Sequence, residues 1–263
     1  MKDLIVLKIG GSVITDKFSE TPKINLGNLK RISKEIASVY NKNKMSLIIV
    51  HGVGSYGHLI VKKTGIDKGI KTENQLKDFA ETQRLQNELN CIVTKYLIEE
   101  GIPAFPCQAS AFAVMNSGKL VNMDTSTIEG LLKIGMVPVL YGVPAYDEIQ
   151  KCSILSGDEI APYLAVKLNA KKIIHATNVD GIFTSDPNKN PDAKLITEIN
   201  SKNIDQVKNW LTGSTATDVT GGMFKKVSEL LGIGIESQII NTLTNGNIAR
   251  AFRNEKIGTV IRL

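Results

Sequence analysis

The stretch His51 to His58 (HGVGSYGH), which follows the apolar run Ser46 to Val50, constrains this chain more than any other feature. An apolar run that stops at glycine reads as a buried strand feeding a turn. Gly52, Gly54 and Gly57 allow the backbone to approach a ligand closely and to turn into a following helix. Helix-start N–H groups attract anions, and His58 stands at that point. The stretch therefore reads as a phosphate cradle with a cationic side chain in it. The same glycines spell GxGxxG, the dinucleotide fingerprint. That reading requires a second strand ending in an acidic residue about twenty residues later. Gly65 to Asn74 is polar and shows no strand pattern, so a dehydrogenase is disfavoured.

Apolar periodicity lays out the rest. Strands are expected at Leu4–Ile9, Leu47–Val50, Ile102–Cys107, Met136–Tyr141, Lys172–Thr177, Ser237–Asn241 and Thr259–Arg262, with a hairpin over Pro144–Leu155. Helices are expected from Asn25 or Asn28 through Tyr40, over Glu73–Glu100, from Thr125 or Ser126 to Lys133, from Gly157 behind a Ser156 cap, and over Met223–Leu231. Strands alternating with helices imply an α/β fold with a mainly parallel sheet covered on both faces. The 263 residues suit one α/β domain over 1–263, with any division into lobes near Gly157, about 1–156 and 157–263.

Composition removes several function classes. The net charge is +6, but there is no Lys/Arg run and aromatics are 5%, which argues against a nucleic-acid surface. Cys91, Cys107 and Cys152 are far apart in apolar or strand-like surroundings, with no CxxC and three histidines in the chain. That disfavours a zinc site or a disulfide framework and fits a reducing cytoplasm. Met1 to Lys8 is too short and too charged for a signal peptide, and no apolar run approaches the ~20 residues of a membrane span.

Strand-to-loop exits rich in glycine or charge carry the chemistry. They are Lys8–Ser12, His51–His58, Ser156–Asp158, Thr177–Gly181 and Asp218–Lys226. In a parallel sheet such exits are expected to converge at one edge. Lys8 lies within the apolar run Val6–Ile9, and an interior lysine requires an anionic partner. Snorkelling is the bland alternative, but Gly10 and Gly11 follow at once and can wrap a phosphate. Lys17 by itself reads as a solvated loop lysine. His58 alone could be a helix-terminal or core histidine, and its place at the end of the glycine stretch favours phosphate contact. Asp180 before Gly181 is also ordinary turn chemistry. Lys225 and Lys226 near a helix start are unfavourable unless an anion sits there, which motivates a nucleotide-phosphate reading, although Lys225 can simply face solvent. No P-loop, protein-kinase motif set or nucleophile elbow is present.

Together these motifs resemble the amino acid kinase superfamily, and within it the isopentenyl phosphate kinases of the archaeal mevalonate route. The resemblance runs nearly end to end, over Lys8–Lys17, His51–His58, Ser156–Asp158, Thr177–Gly181, Asp218–Met223 and Gly258–Arg262. Its most specific mark is the histidine closing the glycine stretch. It implies a three-layer αβα sandwich with an open central sheet, a homodimer, and transfer of the γ-phosphoryl group of ATP, with Mg²⁺, to isopentenyl phosphate. By position, Lys8, Gly10, Gly11, Ser12, Gly54, Asp180, Gly222 and Lys226 would hold ATP. Val53, His58 and Gly157 would hold the acceptor phosphate, with Val53 and Gly157 acting through backbone. Lys17 would stabilise the transferring group, and Phe79 and Gln83 would lie near the isoprenoid tail. The chain departs from the family pattern at Tyr56 (usually phenylalanine) and at Val143 and Asn178 (commonly aspartates). The last two departures remove negative charge near the expected phosphates. Another small-molecule kinase of this fold, such as one acting on fosfomycin, and a non-catalytic ATP-binding protein are the competing readings.

Overall fold

The computed structural model describes residues 2–16, 19–187, 189–212 and 227–263. Its centre is a sheet of eight strands in the order β12-β14-β13-β9-β1-β2-β6-β3. In chain order these are β1 (Asp3–Ile9), β2 (Met45–His51), β3 (Ala104–Pro106), β6 (Val137–Tyr141), β9 (Lys172–Thr177), β12 (Glu198–Asn200), β13 (Glu236–Asn241) and β14 (Thr259–Arg262). All neighbours pair in parallel except β13 with β14. β1 and β2 come from before Gly157, and β9 and β13 from after it. One continuous sheet therefore spans the expected division.

The central strands are apolar almost without interruption because both faces are covered. Alternate residues go to opposite faces. Leu4, Val6, Ile48, Val50 and Ile173 face α6 (Gly157–Lys167), through its Ile160, Ala161 and Leu164. Ile5, Leu7, Ile9, Leu47 and Ile49 face α2 (Leu26–Val39), α4 (Asn74–Glu99) and α8 (Asn247–Phe252). This is the three-layer αβα sandwich. α2 buries Leu29, Ile32 and Ile36 at helical spacing. Truncating Ile36, which is fully buried, would cost about 2–5 kcal/mol. Of the two cap candidates for α2 the structure uses Asn25, whose Oδ1 accepts from Asn28 N at 3.1 Å.

A second sheet, ordered β5-β4-β7-β8, is entered directly from β6 through Gly142. It comprises β4 (Ala113–Asn116), β5 (Lys119–Met123), β7 (Val143–Asp147) and β8 (Lys151–Leu155). The exit Ser156–Asp158 leaves β8 of this sheet and not the parallel sheet, which corrects the expectation that these exits come from strands of one sheet edge. The β4–β5 hairpin, the ribbon β10 (Ile182–Phe183) with β11 (Leu195–Ile196), α7 (Ile204–Thr212) and α8 go beyond the sequence reading. So does the short α1 (Gly11–Ile14), whereas α3 (His58–Thr64) begins at the helix start expected at His58 and α5 (Ser126–Lys133) matches its expected range. Cys107 and Cys152 are buried, but Cys91 is exposed on α4, against the apolar setting expected for it.

Candidate active site

The site is built where β1, β2 and β9 end. Lys8, one residue before the end of β1, lies opposite Val50 on one side and His175 on the other. It is 5% exposed. Its Nζ lies 2.7 Å from Oδ1 of Asp158 in the first turn of α6, and His175 Nδ1 lies 4.0 Å from the same oxygen. The anionic partner that the sequence demanded for Lys8 is thus a residue of the chain. Asp158 remains a quarter exposed, so the pair faces the open edge.

Two glycine loops meet backbone to backbone beside it. Gly10 N donates to Ala176 O at 2.8 Å, and Gly52 N donates to Ile9 O at 2.8 Å. A Cβ on Gly52 would lie 2.5 Å from Gly11 N, and one on Gly11 would fall on Gly54 N. Glycines expected to allow close ligand approach are seen instead to approach each other. Gly54 has φ +47° and packs on Thr15. Thr15 Oγ1 donates to Gly11 O at 2.8 Å and accepts from Ser55 N at 3.2 Å. Ser12 lies in α1, partly buried, one residue past the contact.

Beyond Gly54 the chain makes a 3₁₀ turn to Tyr56, and α3 begins at His58, which is exposed. Val53 is partly buried, and its Cγ2 lies 2.5 Å from where a Cβ on Gly57 would stand. Gly157, the first residue of α6, lies over the end of β2. A Cβ there would be 3.3 Å from Val50 Cγ1 and 3.6 Å from both Lys8 Cε and His51 O. Glu159 fixes this helix start by accepting from Ser156 N at 3.1 Å and Ser156 Oγ at 2.8 Å.

Phe79 and Gln83, one turn apart on α4, are both partly buried. Gln83 belongs to a polar chain. Its Nε2 donates to Tyr141 Oη at 2.9 Å, its Oε1 accepts from Ser110 Oγ at 3.3 Å, and Ser110 Oγ accepts from Gln108 Nε2 at 3.1 Å. Tyr141 stacks on His51 at 5.6 Å. Burial pushes the Tyr141 phenol up to about 12 and the His51 imidazole down to about 4. His51 is thus neutral at pH 7. Its Nδ1 faces Gly52 O at 3.0 Å and its Nε2 faces Asn90 Oδ1 at 3.3 Å. The sequence reading missed His51, Asn90 and Tyr141 as parts of this wall; only a buried polar stripe on α4 could have signalled them.

On the β9 side Asp180 is exposed, and its Oδ1 accepts from Asn241 Nδ2 at 2.9 Å. Lys17, Asp218, Gly222, Lys225 and Lys226 lie outside the described residues. Among the described residues no three His, Cys, Asp or Glu side chains gather as a metal cage.

The model of the amino acid kinase family matches residues 3–241. The chain belongs to the amino acid kinase family. Within it the chain is 42% identical to isopentenyl phosphate kinase of Methanothermobacter thermautotrophicus, over 97% of both chains. It is 38% identical to isopentenyl phosphate kinase of Methanocaldococcus jannaschii, over 98% of both. A solved X-ray structure of an isopentenyl phosphate kinase superposes with a TM-score of 0.85 at 39% identity, covering 98% of this chain and 99% of that one. This places the chain on the isopentenyl phosphate kinase branch of the family, and the αβα sandwich is the family's fold. Lys8, Gly11, Gly54 and Gly157 are brought together at the edge, with His58 at the exposed head of α3. Asp180 stands apart, beside β13. Among the described residues no helix is long and apolar enough to cross a membrane.

Proposed function

We propose that the chain transfers the γ-phosphoryl group of ATP to isopentenyl phosphate, giving isopentenyl diphosphate and ADP. The observation that carries this reading is the position of His58. The histidine that closes the glycine stretch opens α3 exposed to solvent, on the loop whose glycines lock against the loop that follows Lys8. End-to-end similarity to isopentenyl phosphate kinases supports the choice of acceptor.

A phosphate monoester is already an anionic nucleophile, so no general base is required. One of its oxygens forms a bond to Pγ while the bond from Pγ to the β-bridging oxygen breaks, and ADP carries away the electron pair. The protein's task is to bring two polyanions together and to stabilise charge in the transition state. In this reading His58 donates to the acceptor phosphate, and the N–H groups of Val53 and Gly157 hold its oxygens. Lys8 serves the ATP phosphates, with Asp158 setting its ammonium. Gly10, Gly11, Ser12 and Gly54 line the loops around ATP, together with Asp180, Gly222 and Lys226. Lys17 would stabilise the moving phosphoryl group. Phe79 and Gln83 face the tail. Mg²⁺ prefers one or two carboxylates plus substrate phosphates; Asp158 is engaged by Lys8 and Asp180 stands apart beside β13, so an ion would be held mainly by the ATP phosphates that carry it in. Such an ion would supply charge neutralisation on the ATP phosphates. In this reading about 1–156 is the phosphate-acceptor lobe and about 157–263 the nucleotide lobe, with Lys8, Gly10, Gly11, Ser12 and Gly54 reaching ATP from the first and Gly157 reaching the acceptor from the second.

A cytoplasmic homodimer is part of the same reading. Phe105 on the edge strand β3 is 41% exposed, and Ile98 on α4 and Ile134 after α5 are 54% and 77% exposed, apolar surface that a second copy would cover. Light scattering on the eluting protein checks this.

The deciding experiment gives purified protein Mg-ATP with isopentenyl phosphate, fosfomycin and glutamate separately. ADP release is expected with isopentenyl phosphate. His58→Ala is expected to lower kcat/KM for isopentenyl phosphate at least tenfold. A loss within about threefold removes the role of His58, and turnover of another acceptor alone overturns the assignment.

A further inference from the structure

α4 lays a polar stripe against the glycine stretch. Thr82, Gln86, Asn90 and Thr94 recur every fourth residue and are 0%, 1%, 0% and 3% exposed. Most of the stripe is internally satisfied. Thr82 Oγ1 donates to Asp78 O at 2.7 Å, and Thr94 Oγ1 donates to Asn90 O at 2.7 Å. Asn90 Nδ2 donates to Val139 O at 3.2 Å while its Oδ1 faces His51 Nε2, so Asn90 secures the end of β2. Gln86, one turn nearer the helix start, differs. Its Oε1 is buried without a hydrogen-bond partner. Its Nε2 lies against the Cα side of Gly57, 2.6 Å from where a Cβ would stand.

A buried amide oxygen left unpaired costs about 1–3 kcal/mol. Such a cost at the core side of a loop that faces ligand points to a second state in which the oxygen is paired. The segment above Gln86 can supply the partner. Gly57 N donates to Gly54 O at a long 3.2 Å, and Gly57 has φ −130° and ψ −53°, outside the ordinary helical and extended regions. Absence of a side chain at Gly57 is what lets the carboxamide lie directly beneath the peptide that leads into His58.

We infer that Gln86 is a positioning residue for the acceptor phosphate: its buried carboxamide sets the Gly57–His58 peptide, and its unpaired oxygen takes an N–H of that segment when a phosphate monoester binds to His58. The inference rests on the acceptor reading proposed above. Gln86 touches neither substrate nor reacting atoms; it acts through the loop. Binding then recovers the cost of the unpaired oxygen, so affinity for the acceptor depends on Gln86 while the stability of the free protein does not.

The test uses Gln86→Met, an unbranched apolar side chain of similar volume, with Gln86→Glu as the polar isostere. For Gln86→Met we expect the melting temperature of the free protein to be unchanged or raised, KM for isopentenyl phosphate to rise at least tenfold, and KM for ATP and kcat to stay within about threefold. Histidine-detected NMR supplies a readout independent of turnover, since the chain has three histidines. The His58 ring signal is expected to shift with isopentenyl phosphate in the wild type and to require at least tenfold more ligand in Gln86→Met. A lower melting temperature with unchanged KM makes Gln86 a packing residue and overturns the inference, as does retention of wild-type KM by both variants. If the wild type turns over another monoester and not isopentenyl phosphate, the acceptor reading fails. The same NMR titration with the accepted monoester then decides Gln86 on its own, a Gln86-dependent shift supporting the inference and its absence overturning it.

Discussion

Gly54→Ala measures how tightly the two glycine loops are locked, because a second glycine provides the reference. Gly54 and Gly65 both have left-handed backbone, at φ +47° and +69°. An L-residue with a Cβ pays about 1–2 kcal/mol there. Around Gly65 nothing lies within 4 Å of the added methyl, so Gly65→Ala should cost that amount alone. At Gly54 the methyl falls on Thr15 Oγ1 and lies 2.9 Å from Gly11 O and 3.0 Å from Thr15 Cβ. Backbone carbonyls cannot rotate away, and Thr15 is held by its bonds to Gly11 O and Ser55 N. Overpacking of this kind adds about 1–3 kcal/mol, which gives about 2–5 kcal/mol for Gly54→Ala. Urea unfolding of both variants measures the difference, with m-values checked for constancy. The Thr15→Ala/Gly54→Ala double variant should be less destabilised than the sum of the single changes by about 1 kcal/mol, because the overlapping oxygen is gone. Two alanine variants differing by less than about 0.5 kcal/mol, with an additive double, would refute the interlocked geometry.

Two further predictions concern acid. His51 is buried and neutral, with its pKa at about 4 through desolvation, against about 6.5 in the unfolded chain. Between those values the unfolded state takes a proton that the folded state refuses, so stability falls as pH falls, by about 3 kcal/mol in all. Unfolding free energies of His51→Gln measured from pH 7 to 4 should lack that slope; an equal slope in variant and wild type would show that His51 does not titrate this way. Asp147 is fully buried. Burial pushes its carboxyl up, but the Ser153 hydroxyl and the N–H groups of Gln150, Gly118 and Ile149 hold it well below the usual carboxylate range. Its contribution is present above about pH 3.9 and is lost as pH falls through the lower folded value. Asp147→Asn should cost about 3 kcal/mol at pH 7, because the donors from both hairpins lose the charge they converge on, and the loss should shrink below pH 3; a change under about 0.5 kcal/mol at pH 7 would contradict this.

What could be read from the residues follows from what burial does to sequence. β1, β2, β6, β9 and β13 were legible because strands covered on both faces must be apolar throughout. The β4–β5 hairpin, the two-residue β10 and β11, and α8 were not, since elements this short carry no period to detect and owe their form to tertiary contacts. α8, for example, has its first turn held by Glu35, which accepts from Gly246 N at 3.0 Å and Ile248 N at 3.2 Å across more than two hundred residues of chain. In the site, the need of Lys8 for an anion was legible, but its partner was not. Asp158 arrives only because α6 packs its apolar face on β1.

The glycines make the same point more sharply. Close approach to a ligand and close approach to another loop both demand a residue without a Cβ, so sequence cannot separate them, and at Gly11 and Gly52 the neighbour is the other loop. A KM change in Gly52→Ala would therefore say nothing of nucleotide contact, because the substitution displaces the β1 loop whether or not ATP touches Gly52. Proof of ligand contact has to come from side chains that reach solvent at this edge. Among the described residues given a ligand role, His58 and Asp180 are the exposed ones, one expected to serve the acceptor and the other ATP. Substituting each in turn should raise KM for one substrate and spare the other, a division that a loop collapse could not produce.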